Sequence, residues 1–268
     1  IINGAMQVAQ RGTSSTSSSY QTVDRFITGF GGTDESPTQA QHTLTSSDTG
    51  PYAEGFRFSY HITNGNQTSG AGTSDSIEIL TKLEAGDIAN SGWDYTSSSS
   101  YLTFSFWVKS SVAQNFFGYL KTADGTSQRF PFQTGSLSAD TWTKITKKIP
   151  GNSNLAFDAD AAARVNEGLR IVWAQFYGTD KTSSDATLDT WGAYSSAQQT
   201  PDQTSTWYTT NNSTFEITGV QLEVGEVRTP FETRSLAEEE RLCKRYYIST
   251  TDFHHICVNN GESDRWIR

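Results

Sequence analysis

The chain has 268 residues, with 20 Lys and Arg against 29 Asp and Glu, a formal net charge of −9. A chain this acidic does not neutralise phosphates, which argues against nucleic acid and anionic membrane as primary partners. Hydrophobic residues make up 34% and charged residues only 18%, yet 15 Phe, 11 Tyr and 7 Trp supply apolar area that a disordered chain lacks. Ser and Thr fill about a quarter of the positions, so the expected product is β-rich with polar outer faces.

The opening Ile1-Ile2-Asn3-Gly4 has no initiator Met, basic stretch or long apolar run, so neither a signal peptide nor a membrane span is expected there. The chain is expected to begin and end inside a longer gene product. A Ser/Thr run at Thr13–Ser19 buries nothing in sequence terms, and residues 1–23 are predicted to form a tether or attachment segment. A first strand is expected near Asp24–Phe30. Gly55–Thr63 alternates Phe56, Phe58, Tyr60 and Ile62 with Arg57, Ser59, His61 and Thr63, the period-two pattern of a half-buried strand. Tyr101–Lys109 repeats it, with Leu102, Phe104, Phe106 and Val108 inward and Trp107 on the polar face.

Asn115–Lys121 and Gln128–Thr134 flank an Asp124-Gly125 pair, read as a hairpin turn whose two central residues need positive φ. Trp142–Ile149 mixes Ile145 and Ile149 with Lys144, Lys147 and Lys148, the composition of an edge strand protected by lysines. Ala159–Val165 is a short helix candidate. Gly168–Gly178 is apolar on both faces and is predicted to run through the middle of a sheet. In Thr214–Gly225 the apolar parity switches at Gly219, from Phe215 and Ile217 to Val220, Leu222 and Val224, which predicts a β-bulge. Ser235-Leu236-Ala237-Glu238 is a capping box opening a helix expected to reach Tyr247. Residues 24–234 are therefore expected to form an antiparallel two-sheet β-sandwich, a jelly roll by first choice. Residues 235–268 are expected to hold one short helix and the start of a further module.

Two stretches go beyond pattern. Ile2-Asn3-Gly4-Ala5-Met6-Gln7-Val8-Ala9-Gln10-Arg11-Gly12-Thr13-Ser14 resembles the opening of sandwich modules in bacteriophage tail-fibre and other virion proteins. Phe215–Gly225, Thr229-Pro230-Phe231-Glu232 and the helix Glu238–Tyr247 resemble the close of the same modules. The resemblance implies a carbohydrate-binding-type jelly roll that is not an enzyme and works as a homotrimer with other virion proteins in an external appendage. It transfers no individual binding residue, because the matching motifs are framework.

Chemical motifs are sparse. His42, His61, His254 and His255 form no zinc spacing; His61 reads as a strand residue on a polar face, and the adjacent His254 and His255 as a weak metal pair, solvated or at an interface. The Gly-x-Ser-x-Gly elbow and phosphate-binding Gly loops are absent. No cofactor is expected. Cleaving a polysaccharide needs two carboxyl groups about 5–9.5 Å apart, for which Asp75, Glu78, Glu84 and Asp87, or Asp158 and Asp160, are weak candidates. Asp180, Asp185 and Asp189 share a loop that offers oxygen ligands for calcium without the twelve-residue hand pattern, and solvated acids are the commoner reading. Cys243 and Cys257 are the only cysteines, read as two buried thiols rather than a bridge.

Sugar recognition asks for aromatic faces beside amides and acids. Trp93 and Tyr95 in one loop, Trp191 and Tyr194 in another, Trp207 at the start of the last long strand and Trp107 on an outer face are the glycan-binding candidates. Each is weighed against packing on neighbouring loops or a second subunit. Leu236, Leu242, Cys243, Tyr246 and Tyr247 cover too much of a short helix for one sandwich edge and are the oligomer-interface candidates. The expected role is a virion receptor-binding module touching host surface glycan, with a purely structural shaft or decoration protein as the alternative and a depolymerase behind both.

Overall fold

The computed structural model describes residues 1–158 and 163–249. Two six-stranded antiparallel sheets pack face to face. The first runs β1 (Ser14–Ser15), β3 (Thr38–Thr43), β4 (Phe58–Thr63), β12 (Thr214–Val224), β6 (Tyr101–Ser110), β9 (Thr143–Pro150). The second runs β11 (Gly192–Ala193), β8 (Gln128–Ser136), β7 (Asn115–Thr122), β10 (Glu167–Tyr177), β5 (Ser76–Glu84), β2 (Phe26–Gly31). Three short helices complete the described elements: α1 (Ala85–Ala89), α2 (Thr206–Thr209) and α3 (Leu236–Lys244). None is long and apolar enough to cross a membrane.

Alternation builds the core. Leu102, Phe104, Phe106 and Val108 of β6 are buried, with Tyr60 and Ile62 of β4 beside them. Phe104 and Phe106 meet Trp173 of the opposite sheet at ring-centroid separations of 5.8 and 5.6 Å. Each such side chain, removed from water, contributes about 1.5–3 kcal/mol. The strand apolar on both faces is β10, central between β7 and β5 as expected; Val172, Ala174 and Tyr177 on its outer side pack with Leu80 and Tyr119. The lysine-rich β9 is an edge strand.

The bulge is where the parity switch placed it. Register between β12 and β6 shifts between Thr218 and Gln221, and Gly219 has φ +62°. A side chain there would be strained, and its Cβ would lie 2.7 Å from the Phe56 ring. The β7–β8 hairpin also forms, but within its turn only Gly125, at φ +60°, takes positive φ; Asp124 does not. Five residues separate the strands, so the two-residue geometry that demands positive φ twice does not apply.

Residues 1–23 are not a tether. Met6 is fully buried, the Asn3 side-chain amide donates to the carbonyls of Val8 and Asp24 at 2.9 Å each, and Val220 N–H donates to Gly4 O at 2.9 Å. The Ser/Thr run that reads as a linker supplies β1, an edge strand paired with β3. Hydroxyl residues suit an exposed edge as well as they suit a linker, and composition alone does not separate the two.

Ser235 caps α3, its hydroxyl accepting from Glu238 N–H at 3.3 Å. The helix ends at Lys244, three residues before Tyr247, because the chain there turns back onto the sandwich. Arg245 and the Tyr246 hydroxyl both donate to Glu84 at 2.7 Å, and the Arg25 and Arg11 guanidinium groups lie 3.5 Å over the Tyr246 and Tyr247 rings. Through residue 249 the helix is thus docked on the sandwich, with no break visible at 234/235. Cys257, His254, His255 and residues 159–162 of the Ala159–Val165 helix candidate lie outside the described residues.

Candidate functional site

Burial decides first among the predicted sugar contacts. Trp207 is 0% exposed and lies in α2 instead of the last strand; its indole N–H donates to Thr214 O at 2.9 Å. Trp191 plugs the edge between the sheets, against Phe130 of β8 and donating to Pro150 O of β9 at 2.7 Å. Trp93 is buried, and Tyr95 packs against it and against Phe157 at 6.2 and 5.0 Å. These four rings close the ends of the sandwich, where the chain must cover the core without strands, and Trp93, Trp191 and Trp207 offer no face to a ligand. Trp107 does lie on the outer face of the first sheet, but Glu54 and Gly50 of the preceding loop lie over it and Lys144 sits 5.2 Å from its ring.

Tyr194 remains. It is half-buried at the margin of the outer face of the second sheet, 6.3 Å from the Tyr119 ring, with the Lys121 ammonium 4.1 Å from its centroid. Across β7, β10 and β5 this face presents polar groups in one strip. The Tyr119 hydroxyl donates to Gln199 at 2.6 Å, the Tyr177 hydroxyl donates to Glu78, and Lys181 lies 5.3 Å over the Tyr177 ring while donating to Ser76 at 3.0 Å. At the far end Arg170 grips Glu167 through two nitrogens at 2.8 and 3.0 Å, and Lys82 joins at 2.8 Å. Phe117 is half-buried on the same face, beside Ala174.

Burial pushes the Tyr194 hydroxyl above the ordinary phenol range, and those of Tyr119 and Tyr177 further still, so all three are neutral hydrogen-bonding groups at physiological pH. Burial alone would raise the Glu167 carboxyl, but hydrogen bonds from Arg170 and Lys82 outweigh it and hold the group below the usual carboxylate range. A general acid needs the opposite displacement. Tyr119 and Tyr177 are buried and hold Gln199 and Glu78 in place, so what the strip can offer a ligand is the half-buried rings of Tyr194 and Phe117 for stacking and Glu78, Lys121, Lys181 and Arg170 for hydrogen bonds to hydroxyls. Tyr119, Tyr177 and Arg170 escaped the sequence reading. The outward parity of Glu78 was visible, but not that β10 brings Tyr177 beside it.

Two of the carboxylates considered for cleavage are engaged elsewhere, while Glu78 lies in the strip and Asp87 is exposed. Asp75 accepts from Gly72 N–H at 2.6 Å and the Tyr208 hydroxyl at 3.0 Å, and Glu84 holds α3. Asp160 lies outside the described residues. The calcium candidates do not converge: Asp180 binds Thr73 at 3.2 Å, Asp189 faces Lys147 at 3.7 Å, and Asp185 is exposed. Among the interface candidates only Leu236 is exposed. Cys243 is buried, Leu242 lines a cavity of about 480 Å³ between α3 and the sandwich, and both tyrosines are engaged within the chain.

No protein-family model matches the chain, and no curated protein does. Similar solved structures include the enzymatically active domain of tailspike protein 4 from bacteriophage CBA120, at TM-score 0.41 and 7% identity over 84% of this chain and 21% of that one. The N-terminal cellulose-binding domain of Cellulomonas fimi β-1,4-glucanase C aligns at TM-score 0.39 and 8% identity over 83% of this chain and all of that one. The family 11 carbohydrate-binding module of a Clostridium thermocellum cellulosomal cellulase aligns at 0.35 and 12% over 80% and 96%. This chain thus spans about a fifth of the tailspike chain's length.

Proposed function

We propose that the protein is a non-enzymatic sugar-binding module of a phage virion appendage, acting as a homotrimer with other virion proteins and contacting host surface glycan. The observation that carries the binding reading is the outer face of the second sheet, where half-buried Tyr194, Glu78, Lys121 and Lys181 lie over the buried Tyr119 and Tyr177. A sheet face built this way offers ring stacking and hydroxyl recognition. A glycan-array screen of the purified protein tests it: binding is expected, weakened in Tyr194→Ala and kept in Trp107→Ala, and no hit in the wild type overturns the reading.

The virion and trimer assignments rest on the resemblance of residues 2–14 and 215–247 to the ends of phage sandwich modules. Exposed apolar side chains at Val224, Val227, Leu236 and Ile248 support a subunit contact at the α3 end. Light scattering should give three times the chain mass, reduced by Leu236→Asp; a monomeric wild type removes the trimer. One observation favours the scaffold alternative: Trp93, Trp191 and Trp207 are all spent inside the chain. A trimer that binds no glycan would make that the better account.

A further inference from the structure

The first sheet carries a cluster that the sugar-binding reading does not use. His42 on β3, His61 on β4 and Glu216 on β12 come from three adjacent strands, and one donor atom from each lies within 4.8 Å of the others. His61 and Glu216 are direct cross-strand partners; His42 sits opposite Ser59, one diagonal step away, with the imidazole centroids 5.1 Å apart. We propose that these three residues bind a divalent transition-metal ion of the zinc class at the surface of the first sheet.

Three observations support it. His42 Nδ1 is 3.1 Å from one Glu216 oxygen and His61 Nδ1 3.4 Å from the other, so both imidazoles converge on the one carboxylate, as the ligands of an ion with bonds of about 2.0–2.1 Å do. Outer-shell contacts already orient the ligands: His61 Nε2 meets the Thr63 hydroxyl at 3.0 Å, turning Nδ1 toward the cluster, and Ser59 donates to Glu216 at 2.6 Å. Finally, His61 Nδ1 is buried and makes no hydrogen bond, a vacancy that a coordinate bond fills. Two imidazoles and one carboxylate select a borderline-soft ion over calcium or magnesium, which take oxygen ligands. His42, with its side chain 48% exposed, leaves the fourth position to water.

One group opposes the ion. Lys109 Nζ lies 3.0 Å from Glu216 Oε1, but an equal 3.0 Å contact to Asp48 lets it keep a partner when it releases Glu216. Its removal should therefore tighten binding, which a bystander ion pair would not predict.

Untagged, chelator-stripped protein titrated with Zn²⁺ by calorimetry tests the site. Expected are one ion per chain, a rise in melting temperature absent with Ca²⁺ or Mg²⁺, and visible absorption of a four-coordinate site with Co²⁺. His42→Ala, on a strand near the sheet edge and tolerant of the change, should weaken binding at least about a hundredfold, and Lys109→Met should strengthen it about tenfold. No saturable uptake at sub-millimolar Zn²⁺ overturns the proposal. So does unchanged affinity in His42→Ala and His61→Ala, which would place the ion elsewhere, for instance at His254 and His255.

Discussion

The two outer faces of the sandwich start from the same alternation and end with different chemistry. On the first sheet the centre is a charge: Glu216, its side chain 3% exposed, is ringed by His42, His61, Lys109 and the Ser59 hydroxyl. Burial alone would raise its carboxyl, yet the hydrogen bonds from His42 and Ser59 and the nearby His61 imidazole hold it well below the usual range. On the second sheet the buried groups are neutral, Tyr119 and Tyr177, and the charges of Glu78, Lys121 and Lys181 lie half-buried over them, with Glu167, Arg170 and Lys82 paired at the far end. A buried charge commits every neighbour to pairing it, whereas a neutral buried layer leaves the half-buried groups above it available to a ligand.

That contrast can be broken most forcefully at Glu216. Glu216→Ala removes the acceptor that His42, Lys109 and Ser59 share and leaves Lys109 with Asp48 alone, and should cost about 3 kcal/mol, the low end for breaking a buried pair, lowering the melting temperature by roughly 10 °C. The matching change on the other face, Glu78→Gln, should cost under about 1 kcal/mol; equal losses in thermal denaturation would erase the difference between the faces. Gly219→Ala comes next. It forces a side chain into positive φ against Phe56, under the loops that cover the first face, and should cost about 1–3 kcal/mol by denaturant titration.

Tyr194→Ala should behave oppositely, leaving the melting temperature nearly unchanged while weakening glycan binding about tenfold, or ~1.4 kcal/mol. A stability loss without a binding loss would make Tyr194 a packing residue. The smallest effect belongs to acid. Burial tends to raise the Asp48 carboxyl, but Thr45, Trp142 and Lys109 hold it at about 2, below the ordinary 3.8. A depressed folded value means that its stabilisation is present above pH 3.8 and is lost as pH falls toward 2. Asp48→Asn should therefore be about 0.5–1 kcal/mol less stable than wild type near neutrality, with the gap closing below pH 3.8; a gap that stays constant would deny the pairing.

The sequence made the strands legible because each of them satisfies its own period. Phe104 and Phe106 point inward by parity alone, Gly219 declares its bulge by a break in that parity, and Ser235 with Glu238 announces a helix start. The sites were not legible for the same reason. His61 was correctly placed on a polar face and Glu216 had the outward parity of β12, but 155 residues separate them. The aromatic loops misled in the other direction: Gly- and Ser-rich surroundings read as exposed, while Trp93, Trp191 and Trp207 fold back to cap the core.

Local pattern, then, determined the all-β class, the inward faces and the capped helix, since side-chain period and capping act over a few residues. Which strands became neighbours was decided only by the tertiary structure, and with it the His42–His61–Glu216 cluster, the tyrosine strip and the docking of residues 1–23. Strand pairing joins distant segments through backbone hydrogen bonds that are alike for every sequence, so the choice among partners rests on how the whole core packs.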